Sequence, residues 1–373
     1  MVLNAINPVK VAFGLPEDLL PGSPREARRG CAATGEGEGA DMGSRSSSLD
    51  LVRFLALTLV VAGHVWTDKP LSGYVAVFFV VTGYLWKPGR GVVEETRHKW
   101  RTLIRPYIAW GTPLLCVLIA ALFLTSAPPV IVLKTAAVTV WGGARATEPF
   151  TAYWFLTAMF FACLLLRLID RAQGWGPLLL ALVLSVAGSV TLGTYTSFLP
   201  LGFGNALWAL QFLIVGRLLQ TVAPVGMTAA TRRSVALPAV LALGGGLALL
   251  LAGWAAPIVL KAGNHGTPVL SFLAVSAVSC GAILLVQAIE PFIPAPVLRT
   301  ATVLVFTSTP VLLIHGAVIW ALKQQLSGWG LFAAAYAIPI CIGLMLLGTS
   351  GRVRAWLMPG ASGWTRMAAA DRA

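Results

Sequence analysis

An arginine and a histidine, Arg53 and His64, bracket the ten uncharged residues FLALTLVVAG. Eleven residues at 100° each make three turns plus about 20°, so on a helix the two side chains share a face, roughly 16 Å apart along the axis. Asp50 lies one turn before Arg53 on the same side, placed to hold its guanidinium as an i,i+3 pair. An imidazole, with an ordinary pKa of about 6.5, is suited to take a proton from a hydroxyl at neutral pH. A guanidinium keeps its charge when partly desolvated and can hold an anionic group. Both are costly in lipid, so this stripe is expected to face a protein interior or a wet cavity. The plainer alternative is that His64 bonds a carbonyl at the end of its helix.

A second polar stretch follows at GRGVVEETRHKWRTLIRPYIAWG. Its arginines Arg97, Arg101 and Arg105 stand four apart. They could bind phosphates, or they could be ordinary basic anchors beside a membrane. Tyr84, Trp86, Tyr107 and Trp110 fit an interfacial aromatic belt as well as a site. Further on, His315 sits in an apolar run and is read as a packing or proton-sharing residue. Trp154 is read as packing, the glycines at 244–246 as a close helix contact, and His98 and His265 as loop residues without a signal. Cys116, Cys163, Cys280 and Cys341 fall in apolar runs and Cys31 in the N-terminal stretch. None has metal-knuckle spacing, and no metal site is expected.

The elements that carry these residues follow from composition. The chain has 373 residues, 57% hydrophobic and 11% charged, whereas soluble domains carry roughly 25% charged residues. Ten apolar spans are expected, near 51–66, 71–87, 103–125, 150–169, 177–193, 203–222, 235–254, 268–289, 302–322 and 329–348. The segment 130–141 is apolar but short and holds Lys134, so it reads as interfacial or re-entrant. Residues 1–48 are rich in Gly, Pro, Ser, Glu and Arg without an apolar signal-peptide core. They read as a disordered cytoplasmic tail, with Met42 as an alternative start, and 351–373 as a second short tail. Of the 27 Lys and Arg, alternation puts only Lys69, Lys134, Arg145, Lys261 and Lys323 on the side away from the N-terminus. Arg53 lies within a span and the other 21 fall on the N-terminal side. The positive-inside rule then places both termini in the cytoplasm, and the net charge of +13 needs no nucleic acid to explain it. No internal repeat is visible, which weighs against a transporter of inverted halves.

The series LDLVRFLALTLVVAGH, then VFFVVTGYLW, then WRTLIRPY resembles the acyltransferase-3 family of integral-membrane acyltransferases. The marks are Arg, ten residues, His in the first span, Phe-Phe with Thr-Gly-Tyr in the second, and a basic residue before Pro-Tyr at the third. YWFLTAMF, LQFLIVGRLL and His315 are weaker echoes, and the likeness covers about residues 45–350. Two departures stand out. Thr82 takes the place of a serine common in the family, and three arginines stand where many members carry an Arg-x-x-Arg. The fused extracytoplasmic esterase-like domain of some members is not expected after the last span.

The resemblance implies an all-α, ten-span enzyme of the bacterial cytoplasmic membrane. It would move an acyl group, usually acetyl from acetyl-CoA, to a hydroxyl of a carbohydrate or glycosylated acceptor. His64 would be the base, Arg53 its partner with Asp50, orienting a thioester or an anion. Phe79, Thr82, Tyr84, Arg97, Arg101, Arg105 and Tyr107 would lie on the acyl-CoA side, with acetyl-CoA a co-substrate and no bound cofactor. The rival reading is a transporter or flippase of lipid-linked sugars, with Arg53 and His64 as substrate and proton sites. Transfer or hydrolysis of the thioester separates the two.

Overall fold

The computed structural model describes residues 47–67 and 72–364; among these the regular elements are all helices, and the one β-contact is an isolated bridge, Val259 to Asn264. The helices are α1 (Ser47–Val65), α2 (Ala76–Tyr84), α3 (Val92–Lys99), α4 (Arg105–Leu124), α5 (Pro129–Trp141), α6 (Trp154–Asp170) and α7 (Trp175–Thr196). They continue as α8 (Phe203–Val222), α9 (Ala229–Leu251), α10 (Leu270–Ile289), α11 (Ala295–Phe306), α12 (Ser308–Leu322), α13 (Gly328–Leu347) and α14 (Gly351–Leu357). Among the described residues seven helices are long and apolar enough to cross a membrane, or eight when α11 and α12 count as one bent span.

Two expected spans are shorter than that length. Residues 71–87 form a 3₁₀ turn, Ser72–Val75, and the nine-residue α2, and residues 150–169 give the 17-residue α6. Both are buried along most of their length: Ala76, Phe79 and Val80 of α2 and Ala158, Ala162 and Cys163 of α6 are shielded. A helix apolar on every face and enclosed by others is central rather than lipid-facing. The core sits on α2, α6 and α8, while α7 and α9 turn Leu180, Val183, Leu241 and Leu251 outward. The segment expected to be interfacial forms the 13-residue α5, too short to span.

Small residues set the tightest contact. A Cβ on Gly83 of α2 would overlap the carbonyl of Leu213, and one on Gly216 of α8 the carbonyl of Val80. The notches are reciprocal, so the two backbones cross in direct contact, as small residues permit between membrane helices. The α9–α10 pair repeats the device with Gly246 and Gly281. Of the glycines expected to pack, Gly244 and Gly245 meet nothing.

Prolines set the breaks. Pro310 has no N–H to give to Phe306 and its ring crowds that carbonyl. There the chain bends by 62° between α11 and α12, with Gly343 of α13 against Thr307 at the corner. Pro106 stands in the same relation to Thr102, and the turn ahead of it, Trp100–Ile104, widens into π-helix.

The expected N-terminal tail lies outside the described residues except at its end, where Ser47 and Ser48 already belong to α1. The C-terminal stretch expected as a tail is folded through residue 364. Met358 and Ala361 are buried in a cluster with Phe306 and Leu347, and the Leu357 carbonyl accepts the Trp110 indole N–H at 3.0 Å. Its apolar side chains have a surface to cover, which composition around them does not reveal.

Candidate active site

α1 carries polar groups at both ends of one face. At its start Arg53 Nη1 donates to Asp50 Oδ1 at 3.1 Å, with the carboxylate buried and the arginine side chain 30% exposed. The carboxylate also lies in the first helical turn, where the helix dipole favours a negative charge. His64 is three turns on, so Arg53 and His64 do not meet, and the geometry gives them separate surroundings.

At the His64 end a second imidazole arrives from α12. His315 is fully buried, and its Nε2 lies 3.4 Å from His64 Nδ1, with ring centroids 4.9 Å apart at 66°. Each ring also turns Nδ1 to the carbonyl four residues back, His64 to Val60 and His315 to Val311, both at 2.8 Å. A carbonyl only accepts, so both Nδ1 atoms carry the proton and both Nε2 atoms keep a lone pair. Among the described residues no group bonds His64 Nε2. The ring lines a cleft of about 20 Å³ with Val60, Val75, Phe78, Ala152, Trp154, Phe155 and Leu312, the room of about one water molecule. A base with a bare nitrogen in an apolar, narrow cleft can take a proton from a hydroxyl that reaches it.

Charged groups gather beside this cleft from the connecting segments. Pro149 and Thr151 lie against Gly316, next to His315. Lys261, between α9 and α10, donates to the Ala146 carbonyl and to Thr151 Oγ1, and Lys323 pairs with Glu148. Burial lowers the Lys261 ammonium to about 8, with Glu148 acting the other way.

The other sequence-predicted residues make contacts elsewhere. Phe79 is buried edge-on to Phe155 at 5.3 Å. Thr82 Oγ1 donates to its own helix at the Phe78 carbonyl, 2.7 Å away. The Tyr84 hydroxyl is shielded, donates to the Ala223 carbonyl at 2.7 Å and meets the Gln287 side chain at 3.2 Å. Gly83 and Tyr84 thus both hold the α2–α8 crossing. Arg97 and Arg101 are exposed, while Arg105 is half-buried with its guanidinium 4.6 Å from the Trp356 ring centre. Tyr107 stands edge-on to Tyr153 at 5.5 Å and lines an apolar groove of about 210 Å³ between α4 and α5. The structure does not bring these residues to His64.

A buried ionic cluster went unread in the sequence. Arg167 of α6 is 1% exposed. It bonds Glu95 at 3.1 Å and the carbonyls of Lys87 and Pro88, and stacks on Trp86 at 4.1 Å, whose indole N–H donates to Asp170. It fixes the turn between α2 and α3, and with it the start of the basic stretch. Its signal was a lone Arg at the end of an apolar run, which reads identically to a topology anchor. His315 carried the same signal as His64, an ionisable group within a span. Its partner could not be read from spacing. Among the described residues no three His, Cys, Asp or Glu side chains gather as metal ligands.

Two comparisons return nothing: no curated protein and no solved structure matches the chain. The family profile described as an acyltransferase domain matches residues 46–350. That stretch contains the His64 cleft, the basic stretch and every helix from α1 to α13, and the chain accordingly belongs to the acyltransferase-3 family and is a membrane O-acyltransferase.

Proposed function

We propose that the protein transfers acetyl from acetyl-CoA to a hydroxyl of a carbohydrate or glycosylated acceptor, in the cytoplasmic membrane of a bacterium. The observation that carries the assignment of roles is the bare Nε2 of His64 in its cleft, held there by the Val60 carbonyl. Nε2 takes the proton of the acceptor hydroxyl as its oxygen attacks the thioester carbonyl. The C–S bond breaks, and the imidazolium returns that proton to the departing thiolate. Arg53, on the same helix face roughly 16 Å away along the axis, meets the donor rather than the acceptor, a separation an extended pantetheine arm can bridge. Asp50 orients its guanidinium. Arg97, Arg101 and Arg105 hold the phosphates of the donor at the cytoplasmic surface.

This reading places ten segments across the membrane, counting the enclosed α2 and α6 and the bent α11–α12 pair, with both termini in the cytoplasm. Contacts between segments support it. Arg167 with Glu95 and Arg232 with Glu290 join residues assigned to the inner side, and Lys323 with Glu148 joins two assigned to the outer side.

The test is acetyl transfer by the purified protein in vesicles. His64→Ala is expected to lose about 10²- to 10⁴-fold in kcat, the usual worth of a general base. His64→Gln keeps a hydrogen-bonding side chain of similar reach that cannot take a proton, and is expected to be nearly as inactive. Full turnover in a correctly inserted His64→Gln overturns the assignment.

A further inference from the structure

We propose that His315 is a positioning residue for His64, resting on the reading of His64 as the base. Its task is to hold a lone pair against the His64 ring edge opposite the cleft. The pair joins α1 to α12 across 251 residues of sequence.

Proton positions decide what each ring offers. Were the proton of His315 on Nε2, its Nδ1 lone pair would face the Val311 carbonyl at 2.8 Å, oxygen against nitrogen with no hydrogen between. Were the proton of His64 on Nε2, its Nδ1 lone pair would face both the Val60 carbonyl and His315. Both arrangements are repulsive and leave buried polar atoms unpaired, which costs more than a hydrogen bond gains. One arrangement satisfies all three contacts: Nδ1–H on both rings. His64 then shares its Nδ1–H between the Val60 carbonyl and His315 Nε2.

The consequence appears when His64 works. Taking a proton at Nε2 makes the ring an imidazolium whose positive charge is shared with the Nδ1–H edge. That edge meets a neutral lone pair rather than hydrocarbon, so the charge forms against a partner already in place. No proton need leave the pair. His64 Nε2 gains one from the acceptor and returns it to the thiolate, while His315 keeps its own proton on Nδ1. A carboxylate in this position would bring a charge that must itself be desolvated. The imidazole supplies an acceptor without one.

The chain has four histidines, His64, His98, His265 and His315, so nitrogen NMR of protein labelled with ¹⁵N-histidine can be assigned by single substitutions. The expected result is that His64 and His315 both give the Nδ1–H signature at neutral pH. A Nε2–H signature for either ring overturns the proposal. This readout uses the native chain and is independent of activity. In kinetics, His315→Leu is expected to lower kcat about 10- to 100-fold, the worth of one hydrogen bond to a charged group, with KM for acetyl-CoA unchanged. His315→Gln, whose amide oxygen can accept from His64 Nδ1–H, is expected to recover part of the loss. A folded His315→Leu with full kcat overturns the proposal. Should His64→Gln be inactive in the same assay, the assignment of the base stands while the role of His315 falls. Full turnover in His64→Gln removes both.

Discussion

Asp50, Arg53, His64, Arg167 and Lys261 are each compensated by neighbours, and the neighbours differ at each. Asp50 satisfies Arg53 one turn away on the same helix. His64 uses a backbone carbonyl and a second imidazole, and Arg167 uses a carboxylate, two carbonyls and an indole face. The Lys261 ammonium is held by a carbonyl and a hydroxyl and is lowered to about 8. The sign of its effect follows. Between about 8 and the unfolded value of 10.5, the unfolded chain binds this proton more than the folded one does. The contribution of Lys261 to stability therefore rises with pH through that window and is at its lowest below it. Thermal unfolding of wild type and Lys261→Met between pH 7 and 10 checks this. The wild type is expected to gain on the variant as pH rises, and parallel curves would show an ordinary solvated lysine.

At the scale of elements, backbone contact between α2 and α8 organises the core. Gly83 and Gly216 lie at the crossing, and the bonds from Tyr84 to Ala223 and from Gln220 to the Trp86 carbonyl fasten its end. Gly83→Ala and Gly216→Ala each push a methyl into a neighbouring carbonyl. Each is expected to cost at least about 1–3 kcal/mol, the range for overpacking. Gly244→Ala is the control, because its Cβ would meet nothing and alanine favours helix over glycine by roughly 1 kcal/mol. Unfolding monitored by size exclusion after heating is expected to rank Gly244→Ala at or above wild type and both crossing variants well below. Equal tolerance at all three sites would mean the crossing relaxes without cost.

Across the whole molecule, charge sorts the segments into two ends. The Arg90, Glu95, Lys99, Arg167 and Asp170 cluster ties the α2–α3 turn to the end of α6. Glu148, Lys261 and Lys323, from three other connections, meet beside the His64 cleft. On the proposed reading, such an arrangement keeps the donor's basic surface apart from the end where His64 stands. Reporters fused near Arg232 and after Arg372 are expected to read cytoplasm, and one near Lys261 the outer side. Placing 232 and 261 on one side would remove α9 from the membrane and with it the proposed geometry.

Helicity, the approximate positions of the apolar segments and the shared face of Asp50, Arg53 and His64 were determined by the sequence itself. Each depends on residues within a few turns of one another, where 3.6-residue periodicity and hydropathy act locally. The Arg–His spacing, the Thr-Gly-Tyr run and the basic Pro-Tyr start, taken in order, also sufficed to identify the family that the profile match establishes. Tertiary structure decided which faces meet. It enclosed α2 and α6 among the other helices, and it set the Tyr84 hydroxyl against a carbonyl 139 residues away. It set His315 against His64 and Lys261 beside Glu148, pairings between distant residues that no local period encodes. An ionisable side chain in an apolar run announces that it must have a partner; only the packed helices supply its name.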